Sequence, residues 1–72
     1  MMNMPLTMMA IGETNTIKKV SGREDTRKFL ANLGFVTGGS VTVISKTDGN
    51  LIVTVKDARV AINKDMANKI MI

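Results

Sequence analysis

The chain contains no cysteine and no histidine. Without cysteine, disulfides, thiolate nucleophiles and sulfur metal sites are excluded, and a reducing, cytoplasmic setting is the expectation. Without histidine, the commonest zinc ligand, the usual proton carrier near neutral pH and every Ser-His or Cys-His pair are missing as well. No enzyme is expected, and no catalytic residue can be assigned. Tryptophan and tyrosine are also absent, which leaves two phenylalanines as the only aromatics. No stretch approaches the roughly 20 apolar residues that cross a bilayer. The opening MMNMPLTMMAIG lacks a basic head and is interrupted by Pro5 and Thr7, so neither a secretion signal nor membrane insertion is expected.

What is present fits one small domain over residues 1–72. Ten Lys and Arg against six Asp and Glu give a net charge of +4, which favours acidic partners without naming one. Residues 21–33 read as a helix. Ser21 and Glu24 have capping-box spacing, Glu24 and Asp25 precede Arg27 and Lys28 as the helix dipole prefers, and Gly34 supplies a left-handed stop. Thr26, Phe29, Leu30 and Leu33 form its apolar stripe, which places Phe29 at a core position, and Phe35 after the stop is expected to plug the end of the core.

Beyond Gly34 the period changes to two. Val41 and Val43 share one strand face; Leu51, Val53 and Val55 share another, with Ile52 and Thr54 opposite. TDGN between them reads as a tight turn in which Gly49 takes positive φ, and Gly38 opens the hairpin. Residues 13–20 form an earlier strand anchored by Ile17, residues 59–63 a later one, and residues 70–72 an extended end. A short helical turn near residues 64–67 is capped by Asn63. About five short strands with one inserted helix (residues 21–33) close into a small barrel, since closure removes exposed edges.

The ordered set Leu30, Leu33, Gly34, Phe35, Gly38, Val41 and Val43, then Gly49, Val53 and Val55, then Val60, Ala61 and Ile62, then Ala67, Ile70 and Ile72 resembles the ferrous iron transport protein A (FeoA) family. The resemblance spans nearly the whole chain. It departs at Thr37, where relatives often carry proline, and at Asp57-Ala58-Arg59, where many carry glycine before the strand. It implies a mainly β, SH3-like barrel, similar also to the C-terminal domain of diphtheria-toxin-repressor-type metal-dependent regulators. It further implies a small cytoplasmic accessory protein in ferrous iron homeostasis. The implied partner is the FeoB-type ferrous iron permease with its cytosolic GTPase domain, which would hold the protein at the inner membrane.

The residues themselves weigh these expectations. Iron would have only the carboxylates of Glu13, Glu24, Asp25, Asp48, Asp57 and Asp65, a ligand set that does not support a metal site, so no cofactor is assigned and ferrous iron is at most transient. Met1, Met2, Met4, Met8 and Met9 offer soft ligands to Cu(I) in principle. The plainer reading has Met8 or Met9 filling the barrel and the others in a frayed end. A basic nucleic-acid-binding or repressor-like regulatory module is the alternative function, weakened by the lack of exposed aromatic platforms. Partner binding is assigned to Val36, Ile44 and Ile52 as apolar contacts rimmed by Arg23, Arg27, Lys28 and Arg59, although Ile44 and Ile52 could instead pack under the helix. An arginine finger, Arg27 or Arg59, offered to the permease GTPase is a sharper variant. Gly34, Gly38 and Gly49 are assigned to turns.

Overall fold

The alternation of apolar and polar residues after Gly34 produces the main sheet. The computed structural model describes residues 3–72. It contains strands β1 (Thr14–Thr16), β2 (Lys19–Val20), β3 (Ser40–Lys46), β4 (Asn50–Val55), β5 (Ala58–Asn63) and β6 (Ile70–Met71), with helices α1 (Glu24–Leu33) and α2 (Lys64–Ala67). The first sheet runs β1-β3-β4-β5 and the second pairs β2 with β6, all antiparallel. This is the expected mainly β, SH3-like arrangement with six strands rather than five, and the barrel is not fully closed.

One face of the four-stranded sheet turns inward. Val41, Val43, Leu51, Val53, Val55 and Ile62 alternate along β3, β4 and β5 and are buried together with Ile17, Leu30, Phe35, Ala67 and Ile70. Each such aliphatic side chain contributes about 1.5–3 kcal/mol when fully removed from water. Leu6, in a 3-10 turn at Leu6–Met8, is also fully buried.

The expected long strand over residues 13–20 breaks in two. Ile17 is buried at the break, its N–H donating to Gly39 C=O and its C=O accepting from Gly38 N–H, after which Lys18 N–H turns to Met71 C=O. One polypeptide stretch thereby serves both sheets. The first residues are not frayed from residue 4 onward, because Met4 and Ile72 exchange two backbone hydrogen bonds and Pro5 bridges Met71. Met9 is the methionine that fills the core, while Met8 is exposed; Met1 and Met2 lie outside the described residues.

Helix α1 starts at Glu24, not Ser21. Its N-cap is Arg23, with no side-chain cap. The Ser21 hydroxyl donates to Lys69 C=O at 3.1 Å, so it ties the chain to the segment before β6 instead of closing a capping box. Gly34 ends the helix as expected, at φ 111°, with its N–H on Ala31 C=O and Phe35 N–H reaching back to Leu30 C=O. The stripe is narrower than the sequence indicates. Leu30 is buried, Thr26 and Leu33 are half-buried, and Phe29 is 52% exposed at the stripe's edge, because a ten-residue helix on so small a barrel covers little more than one row.

The two hairpin turns also exchange roles. Gly49 does not have positive φ. The left-handed residues are Lys56 (φ 49°) and Asp57 (φ 62°), which form the two-residue connection between β4 and β5. Asn63 caps α2 as expected, its side-chain oxygen accepting from Met66 N–H at 2.8 Å.

Candidate docking face and cleft

The outer face of the four-stranded sheet carries rows of side chains fixed by strand register. The middle row runs Thr14, Thr42, Thr54 and Arg59, with the Thr14 and Thr42 hydroxyls 2.7 Å apart. The next row toward one end of the sheet opposes Ser45 to Ile52 and Ile52 to Ala61. Between Val43 and Ser45 the register shifts, and Ile44 is the extra residue of that bulge. A bulge re-aims a side chain and disturbs the alternation, which is why Ile44 emerges 36% exposed beside half-buried Ile52. Gly12 N–H bonds to Val43 C=O, and this brings Ile11, 59% exposed, alongside the bulge. Sequence reasoning missed Ile11; its only signal is an apolar residue just before a glycine turn.

The structure therefore unites Ile44 and Ile52 with Arg59 on one sheet face. It separates the other expected partner residues from them. Val36 packs at Gly39, a Cβ there meeting its Cγ2 at 3.5 Å, and so lies before the start of β3. Ser40 and Ile44 stand four residues apart on β3, about 13 Å at strand spacing. Arg23, Arg27 and Lys28 are all exposed on or beside α1, and Lys28 is engaged 3.4 Å from Glu24, a pair worth a few tenths of a kcal/mol. These three form a separate basic element.

From that middle row toward the end of the sheet away from Ile44 lies a cleft of about 280 Å³. It is lined by Gly34, Gly39, Ser40, Thr42, Thr54, Lys56 and Asp57. Close packing accounts for both glycines: a Cβ at Gly34 would meet Val55 and Lys56 at 3.3 Å, and one at Gly39 would meet Val36 C=O at 3.1 Å. Among the described residues no group of three carboxylates converges on a point that would hold a metal ion. Among the described residues no helix is long and apolar enough to cross a membrane.

Comparison with known proteins agrees with this architecture. The FeoA domain family matches residues 4–72. The protein named Fe(2+) transport protein A in Methanocaldococcus jannaschii is 29% identical over 68 residues, covering 94% of this chain and 83% of the relative. The crystal structure of an iron uptake regulatory protein (FeoA) superposes with a TM-score of 0.89 at 27% identity, over 97% of this chain and 95% of that one. A zinc-complexed Stenotrophomonas maltophilia FeoA, described as an SH3 domain protein, shares the fold at a TM-score of 0.80 and 23% identity, over 93% of this chain and 86% of that one. The fold recurs as 40% of a manganese-dependent transcriptional repressor, with a TM-score of 0.88 and 19% identity over 97% of this chain. With a match from residue 4 to residue 72, this chain belongs to the FeoA domain family and has the role in ferrous iron transport that membership implies.

Proposed function

We propose that this protein is a non-enzymatic, cytoplasmic accessory of a FeoB-type ferrous iron permease, docking on its cytosolic side and altering its assembly or gating. The observation that supports this reading is the apolar patch on the outer sheet face, exposed Ile44 and half-buried Ile52 with exposed Ile11 beside them, bordered by Arg59. Apolar contact supplies affinity, while an unpaired guanidinium at the rim steers the approach of an acidic surface. Arg59 has no ion-pair partner among the described residues. The basic residues Arg23, Arg27 and Lys28, on a different element, add long-range attraction rather than contact.

The test is a titration of isotope-labelled protein with the cytosolic domain of the permease, with and without guanine nucleotide. Saturable amide shifts centred on residues 44, 52 and 59, lost in Ile44→Asp and surviving moderate salt, are expected. Shifts confined to α1, or binding that disappears with modest salt and is reproduced by generic RNA or DNA, would transfer the function to the basic regulatory alternative. Exposed Phe29 beside Arg27 and Lys28 gives that alternative one stacking platform, whereas strand binding uses successive ones.

A further inference from the structure

The cleft at the far end of the same sheet is built from features that the docking reading leaves unused. A two-residue hairpin loop with both residues left-handed favours Asn-Gly or Asp-Gly, because glycine bears no strain there and Asn and Asp bear less than other side chains. This chain has Lys56 at φ 49° followed by Asp57 at φ 62°. A strained residue held by its surroundings is a reason to ask what it does. Here that loop contributes both a lysine and an aspartate to the lining of one cleft.

The neighbouring groups are free to take part. The stem of Lys56 lies over Gly34, where a Cβ would stand 3.3 Å from its Cγ, so the aliphatic part is packed while the ammonium has no carboxylate partner among the described residues. The hydroxyls of Ser40 and Thr54 line the same cleft and have no hydrogen-bond partner among the described residues, unlike Thr42, which is engaged with Thr14. Two hydroxyl donors and an ammonium suit a carboxylate; the adjacent Asp57 suits an N–H beside it. About 280 Å³ is room enough for a group of that size.

We propose that this cleft binds a carboxylate with an N–H donor next to it, the chemistry presented by the C-terminal residue of a peptide chain. Lys56, Ser40 and Thr54 hold the carboxylate, and Asp57 accepts from the adjoining N–H. The proposal goes beyond the transport reading and does not depend on which partner docks at Ile44. A free amino acid presents the same pair of groups, and the test separates the two sources.

The experiment titrates the labelled full chain with N-acetyl-glycylglycine, with its C-terminal amide and with free glycine, each in the millimolar range. Saturable shifts at residues 34, 39, 40, 54 and 56 with the free acid, and none with the amide, are the expected result and assign the chain end as the source. Equal shifts there with glycine alone would support the site and assign the free amino acid. Equal shifts with acid and amide, or no saturable shift with any probe, would overturn the proposal. Lys56→Asn is the decisive variant, because asparagine suits the left-handed position and keeps the turn while removing the ammonium. It should weaken binding of the acid about tenfold or more, as expected for loss of a charge-assisted bond. Unchanged affinity in this folded variant would also overturn the assignment.

Discussion

Two residue positions with positive φ separate conformational need from side-chain identity. At Gly34, with φ 111°, a methyl group would strain the backbone and press within 3.3 Å of Val55, a core residue. Gly34→Ala should therefore destabilise the protein by about 1–3 kcal/mol, read by urea unfolding. At Asp57, with φ 62°, the reverse holds. Its left-handed backbone costs a side chain free energy that glycine does not lose, so Asp57→Gly should leave stability unchanged or raise it by up to about 1 kcal/mol. For a domain of this size each kcal/mol moves Tm by roughly 4–8 °C, enough to see both signs in one calorimetric series.

At the scale of the elements, the two helices begin by different means. In α2 the Asn63 oxygen accepts from Met66 N–H, and Asn63→Ala should cost about 1 kcal/mol in chemical denaturation. The start of α1 has no such side-chain cap, and its first acidic residues act through the dipole. The capping-box pattern at Ser21 was a false signal because a hydroxyl bonds whichever acceptor the fold brings near, and here that is Lys69 C=O. The helix end at Gly34 and the strands with Val41, Val43, Leu51, Val53 and Val55 were legible, since each shows a period or a stop that needs no distant partner. Residues 19–20 and 70–71 were read as extended, but their pairing as a second sheet was not legible, because two-residue strands carry no period and are joined through long-range contact alone. The same limit hid the bulge that exposes Ile44. Ile52 and Arg59 could be placed on one face by counting in twos, but the cleft between Gly34 and Lys56 joins a helix end to a distant hairpin and leaves no local trace.

Across the whole molecule, two sheets and a lightly attached helix share one core, and the sheet's outer face carries different chemistry at its two ends. An apolar row with Ile44 lies at one end and a polar cleft with Lys56 at the other. That separation predicts independence. Ile44→Asp and Lys56→Asn, about four strand positions or 13 Å apart, should have additive effects on stability within about 0.5 kcal/mol, as measured by a double-mutant cycle.

The paired backbone of Met4 and Ile72, with bonds of 3.0 and 2.8 Å, brings residues 68 positions apart in sequence into direct contact. A short linker joining residue 72 to residue 4 would therefore close residues 4–72 into a covalent ring without bending the native fold. Cyclisation leaves the folded state almost unchanged and denies the denatured chain most of its end-to-end freedom, a difference of about 4 kcal/mol for a loop of this length. The ring would also have no free terminus for an exopeptidase to grasp.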